Sequence, residues 1–114
     1  MEKQGKFELK LRKNSHFMFN LVATNNEVVL TSEGYTTKEN AKKGIEAVRK
    51  NSQITGKFLK LVDLPTTKVY FVLKAENGEI IGRSQMYVDD ATRKTGIAAV
   101  KKYAPTAALV DKTV

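Results

Sequence analysis

The chain has 114 residues, 20 Lys and Arg against 12 Asp and Glu, a net charge of +8 and no cysteine. That length suits one modest core, and a hydrophobic fraction of 41% suits a folded globule rather than a disordered chain. The absence of cysteine excludes disulfides, thiolate nucleophiles and thiolate metal sites. No apolar run approaches the ~20 residues of a membrane helix, and the first residues lack an apolar signal-peptide core, so a cytoplasmic protein with no membrane partner is expected.

Phe7, Leu9 and Leu11 alternate with charged residues, the period of a strand that buries one face. Phe17, Phe19, Leu21 and Ala23 alternate likewise and run into Asn25-Asn26, a hairpin signal in which both central residues are expected to take positive φ. Residues 27–32 form the return strand. Thr37 is an N-cap candidate, with Thr36 and Glu39 as a rival capping box. The helix that follows puts Ala41, Gly44, Ile45 and Val48 on one stripe, and Gly56 punctuates its exit.

From there the pattern restarts. Residues 17–50 match residues 69–102 at roughly a third of positions, where unrelated stretches share about one in twenty. Phe71, Leu73, Asn77-Gly78, Ser84, Tyr87, Gly96, Ile97 and Val100 stand 52 positions after their counterparts, and Leu59 and Leu61 occupy the places of Phe7 and Leu9. Pro65 suits a turn or a sheet edge. Asp89 replaces Thr37 as cap, and Arg93 replaces Ala41, so that end of the second helix is expected nearer solvent. Pro105 marks the second helix exit, and Leu109-Val110 belong to a seventh strand.

A glycine inside a helix costs about 1 kcal/mol relative to alanine. Its recurrence at Gly44 and Gly96 indicates close approach of each helix to the sheet, where a β-carbon would strike an aromatic such as Phe19 or Phe71. Tyr35 and Tyr87 read as corner aromatics with hydroxyls bonded to backbone. A β-β-β-α unit cannot cover its apolar face with one short helix, whereas two units sharing a core can. The expected fold is therefore α+β: one domain over 1–114, repeats at about 6–56 and 57–114, pseudo-two-fold, with one antiparallel sheet and both helices on one face.

Several strings carry a resemblance: Phe7-Glu8-Leu9, Ser32-Glu33-Gly34-Tyr35, Lys43-Gly44-Ile45-Glu46-Ala47-Val48 and Ala75-Glu76-Asn77-Gly78-Glu79-Ile80-Ile81-Gly82-Arg83-Ser84. In this order, over nearly the whole chain, the sequence resembles the YegP-like family of small tandem-repeat bacterial proteins. The resemblance implies tandem β3-α-β units whose antiparallel sheet curls into a half barrel, with single-repeat relatives pairing as homodimers. Asn26 stands where glycine is usual, and Tyr103-Ala104 replaces the pair Asn51-Ser52. The resemblance supplies no biochemical function.

The residues themselves point away from an enzyme. His16 is the single histidine and lies in a turn; Asp89-Asp90 is explained by a helix N-terminus; Gly78 and Gly82 lack the lysine-bearing helix entry of a phosphate loop. No catalytic, cofactor or metal residue is expected. The favoured reading is a monomeric, non-catalytic binding or interaction module. Its sheet face at Met18, Val22, Tyr70 and Val72 is more apolar than a solvated face needs and would take a protein or small ligand. The alternative is a weak, sequence-independent nucleic-acid binder using the basic helix faces, Lys42, Lys43, Lys50, Lys94, Lys101 and Lys102.

Overall fold

A computed structural model describes residues 5–113. The elements are β1 (Lys6–Leu11), β2 (Phe17–Val22), β3 (Val28–Thr31), α1 (Lys38–Asn51), β4 (Phe58–Val62), β5 (Val69–Lys74), β6 (Ile80–Arg83), α2 (Asp90–Tyr103) and β7 (Ala108–Asp111). No helix among the described residues is long and apolar enough to cross a membrane. The seven strands form one sheet that is not closed, in the order β4-β5-β6-β3-β2-β1-β7. β7 runs parallel to β1 while the other neighbours are antiparallel, so the sheet is mixed rather than wholly antiparallel. The cause is occupancy. β4, leaving α1, lies beside β5; the matching place beside β2 is already held by β1, so β7 is added outside it.

Both hairpin turns close as expected, but by a different geometry. Positive φ occurs at Asn26 and Gly78 and not at Asn25 or Asn77. The Asn25 and Asn77 side chains instead accept the N–H of Glu27 and Glu79 at 3.0 Å. The pairing slips at Leu21/Val22 and at Leu73/Lys74, as in a three-residue turn with a bulge.

The helices begin where the sequence places them. Thr37 accepts the Asn40 N–H at 3.0 Å, and Asp89 the Thr92 N–H at 2.9 Å. A β-carbon on Gly44 would collide with the Tyr35 hydroxyl and lie 3.1 Å from Phe19; on Gly96 it would meet Tyr87 and lie 3.2 Å from Phe71. Tyr35 stacks on Phe19 and Tyr87 on Phe71, at 6.2 and 6.3 Å between centroids. Each tyrosine is held there by backbone pairing to the first residue of a strand, Phe17 or Val69. The glycines thus make room first for a tyrosine ring and then for a phenylalanine.

The repeats share one core. α1 packs on β2 and also on β5 and β6, and α2 packs on β5 and also on β3. Phe7, Phe19, Leu30, Ile45 and Val48 join Phe71, Leu73, Ile97 and Val100 in one buried cluster. Where the halves meet in the sheet, Leu30 leaves no space for its counterpart: a β-carbon on Gly82 would lie 2.6 Å from the Leu30 Cγ and Cδ2. Two leucines would overfill that junction, so one copy carries glycine.

Two expectations about the second repeat change. β1 pairs Leu9 with Phe19, whereas β4 pairs Lys60 with Phe71, so the counterparts of Phe7 and Leu9 are Phe58 and Lys60 rather than Leu59 and Leu61. Phe58 meets Phe71 edge-on as Phe7 meets Phe19, at 5.6 and 5.8 Å. The connection from β4 to β5, with Pro65 and with Thr67 at positive φ, is one residue longer than that from β1 to β2. That residue moves Leu59 and Leu61 to the opposite sheet face. Arg93, expected near solvent, is 9% exposed. Its guanidinium donates to Asp90 at 2.7 Å and to the Leu61 carbonyl at 3.0 Å, which satisfies a charge that burial would otherwise penalise.

β7 is fastened at its end. Lys38 at the start of α1 pairs with Asp111 at 2.9 Å, and Asp111 also accepts the Thr113 hydroxyl and N–H. Those two Thr113 bonds and the Lys38 charge hold the Asp111 carboxyl well below the usual carboxylate range.

Two outcomes are expected. Gly82→Ala should lower stability by about 1–3 kcal/mol through overpacking, and by less in a Leu30→Ala background; denaturant unfolding of the four variants measures the coupling. Because the folded-state pKa of Asp111 is depressed, its contribution is complete above the unfolded value near ~4 and is lost as pH falls through the folded one. Asp111→Asn should therefore lose less stability than the parent between pH 6 and pH 2.5 in the same assay.

Candidate functional site

With both helices on one side, the other sheet face carries no helix, and register lines up one row of residues across it. Val110, Glu8, Asn20, Thr31, Arg83, Val72 and Leu59 are successive partners from β7 to β4. The row changes character along its length. Glu8 is buried beneath Lys112 at 3.1 Å, Lys6 at 3.3 Å and Lys10 at 3.8 Å. Burial alone would raise the Glu8 carboxyl, but bonds to Lys112 and Lys6 outweigh it and hold the group below its ordinary value. At the centre the Thr31 hydroxyl donates to the Asn20 Oδ1 at 2.9 Å. Arg83 then lies over Tyr70 at 5.7 Å. Beyond it Val72 is sealed between Leu59 and Arg83.

The polar half of this face forms a trough of about 910 Å³ whose lining includes Lys10, Arg12, Asn20, Thr31 and Arg83, with Glu27 and Glu33 also present. Three cations from β1, the turn after it and β6 therefore face one concavity. Ser32 and Ser84 also touch it, but their hydroxyls are committed. The Ser32 Oγ accepts the Phe19 N–H and donates to the Glu33 carbonyl; the Ser84 Oγ accepts the Phe71 N–H and donates to the Gln85 carbonyl. The repeated serines tie strand to strand at the corner before each helix.

The sequence-derived surface is brought together only in part. Met18 and Tyr70 are half-buried on the helix-free face, with Met18 lining the trough, whereas Val22 and Val72 are buried and offer a partner no surface. Sequence reasoning gives Lys10, Arg12 and Arg83 no role, because the strand order that sets β1 and β6 around one concavity is not written in residue order. The usable signal was the alternation of Lys10 with Leu9 and Leu11, which puts it on the face opposite the core.

The helix lysines do not form one basic face; Lys94 and Lys101 come together beside Lys60, apart from the others. Lys50 pairs with Glu76 at 2.9 Å and Lys94 with Asp90 at 3.5 Å, while Lys101 lies over Phe58 and Lys102 over Tyr103. Lys42 and Lys43 are exposed on α1. His16 sits in the turn after β1, its N–H donating to the Asn14 Oδ1. Among the described residues no group of three His, Cys, Asp or Glu is arranged to hold a metal ion.

The repeat geometry is matched by relatives. The profile of a domain of unknown function, DUF1508, matches twice, at residues 13–56 and 66–111. The chain belongs to this family. A UPF0339 protein of Pseudomonas aeruginosa is 46% identical over 109 residues, covering 96% of this chain and 98% of that one. The UPF0339 protein YegP of Escherichia coli K12 is 45% identical with the same coverage. The solution structure of E. coli yegP, described as a protein of unknown function, superposes with a TM-score of 0.92 at 43% identity, covering 99% of this chain and 97% of that one. A UPF0339 protein of Shewanella oneidensis superposes at 0.90 with 45% identity, covering 96% and 92%. The relatives are uncharacterised and their names assign no activity.

Within the second DUF1508 copy, one buried side-chain polar atom among the described residues is left without a partner. The Tyr87 hydroxyl is buried and unbonded, contrary to the backbone bond expected of it. Burial pushes the phenol above its ordinary value, and the Glu27 charge adds to this. The raised folded value means that the stability the neutral ring contributes is complete below pH ~10 and declines as pH climbs towards it. Tyr87→Phe should raise stability at neutral pH by about 1 kcal/mol by removing an unsatisfied hydroxyl, and should flatten the alkaline decline, as read by unfolding midpoints at pH 7 to 11.

Proposed function

We propose that this protein is a non-catalytic binding module that takes an anionic ligand, a small molecule or a protein segment, in the trough on the helix-free face. The observation that supports this most is the convergence of Lys10, Arg12 and Arg83 on one concavity beside the Asn20–Thr31 pair, only partly offset by Glu27 and Glu33, with the half-buried Tyr70 beneath Arg83 adjoining. Such a surface offers charge and hydrogen-bond donors to a bound anion and an aromatic flank to its apolar part. It offers no nucleophile activated by a base, since the two serine hydroxyls beside it are already bonded.

The alternative reading, a weak nucleic-acid binder on the helix faces, draws on the exposed Lys42 and Lys43 but loses strength because Lys50 and Lys102 are engaged separately and Lys94 and Lys101 gather at the β4 edge instead. Amide shift mapping separates the two. Titration with a panel of carboxylate and phosphate ligands should move Asn20, Thr31 and Arg83, and Arg83→Ala should weaken binding about tenfold or more, as for a lost charge-assisted contact. Shifts confined to Lys42, Lys43 and Lys102 on addition of mixed DNA and RNA, with affinity falling steeply as salt rises, would sink the trough reading.

A further inference from the structure

The two edges of the sheet are finished differently. β7 covers β1, its Ala108 N–H reaching the Gly5 carbonyl and the Lys112 N–H the Leu9 carbonyl at 2.8 Å. β4, the counterpart of β1, has no strand on its outer side among the described residues. Its bonds to β5 run through Lys57 and Asp63, so by alternation the backbone groups of Phe58, Lys60 and Val62 point outward. Phe58 and Lys60 are the counterparts of Phe7 and Leu9, the part of β1 that β7 covers.

The side chains beside that edge repeat the asymmetry. On the first side Arg49 lies over Phe7 at 4.9 Å, held by Glu46 at 3.0 Å and by the Ala104 carbonyl at 3.0 Å, with Ala104 and Ala107 buried against the core. On the second side Ala98 stands in place of Glu46 and Lys101 in place of Arg49. Lys101 lies over Phe58 with no ion pair among the described residues. Where the first side is packed, the second keeps a cavity of about 340 Å³ floored by Phe58, Ile97 and Ala98 and ringed by Lys60, Lys94 and Lys101. No acid lines this cavity among the described residues; Asp90, outside the lining, is shared among Lys60, Arg93 and Lys94.

The geometry points to a strand-addition site. We infer that the β4 edge and its groove take an extended segment of another protein that carries both an apolar and an acidic side chain. The segment runs parallel to β4 in the register β7 uses on β1, where Leu109 faces Phe7 and Asp111 faces Leu9. Its apolar side chain lies opposite Phe58 and fills the cavity; its acidic side chain, two residues on, lies opposite Lys60 with Lys94 and Lys101 alongside. Main-chain bonds would supply affinity and the groove specificity. A second copy of this chain fits poorly, because antiparallel pairing of two β4 edges centred on Lys60 sets like charges face to face. This surface is separate from the trough, and its test is independent of it.

The probe is a free ten-residue peptide copying residues 104–113 with Lys112→Glu; the control copies the same residues with Asp111→Lys. The acidic peptide should slow hydrogen exchange of the Phe58, Lys60 and Val62 amides, about tenfold when it is present at ten times its Kd. The control peptide should not. Lys101→Glu, a substitution on an exposed helix position, should weaken the acidic peptide and restore binding of the control, with an unchanged unfolding midpoint showing an intact fold. Protection confined to β1 and β7, equal binding of both peptides, or slow exchange at β4 that appears without peptide as the chain dimerises would each overturn the proposal.

Discussion

The contact on which the rest of the structure depends is the closeness of each helix to an aromatic stack. Gly44 and Gly96 let α1 and α2 settle onto Tyr35–Phe19 and Tyr87–Phe71, at a spacing no other residue permits without moving a buried ring. At that depth each helix reaches strands of the other repeat as well as its own, which joins the halves more firmly than the short β3–β6 pairing does. Drawing both helices to one side also leaves the opposite face bare, and the trough exists for that reason. The mid-helix glycines cost intrinsic helix stability, offset by the packing they allow.

Duplication in this chain is accurate in the core and inexact wherever symmetry would be harmful or impossible. Leu30 and Gly82 share a junction with room for one large side chain. A one-residue longer turn before β5 shifts β4 by one position, which turns Leu59 and Leu61 to the helix-free face and puts Lys60 where the first copy has Leu9. The final strand covers one edge and leaves the other uncovered among the described residues. Each departure changes a surface: the first relieves the centre, the second gives the helix-free face its apolar half, and the third distinguishes the two edges. The open β4 edge lies at such a departure, whereas the trough borders Ser32 and Ser84, which the repeats hold in common.

Membership of the DUF1508 family and the close superposition on two solution structures establish the architecture, while the relatives carry no activity to transfer. The functional argument therefore rests on charge placement. Among the basic residues, Lys42, Lys43, Lys50 and Lys102 are dispersed or paired along the helices, whereas Lys10, Arg12 and Arg83 face the trough and Lys60, Lys94 and Lys101 ring the groove beside β4. Convergence costs self-repulsion unless something anionic relieves it; Glu27 and Glu33 offset part of the charge in the trough, as Glu8 does for Lys6, Lys10 and Lys112, and the remainder is what an anionic ligand would meet.

The sequence alone determined the repeat, seven strands and two helices, the caps at Thr37 and Asp89, and the purpose of the paired glycines. These are local or periodic signals, and period-two and period-3.6 patterns are written directly in residue order. What it did not determine were the parallel placement of β7, the register of β4, the burial of Val22, Val72 and Arg93, and the gathering of Lys10, Arg12 and Arg83. Each depends on which strand lies beside which, and a single added turn residue reverses the face of every side chain in a strand. Alternation assigned Met18 and Tyr70 to the helix-free face, yet only the neighbours supplied by pairing decided what on that face is open to a partner.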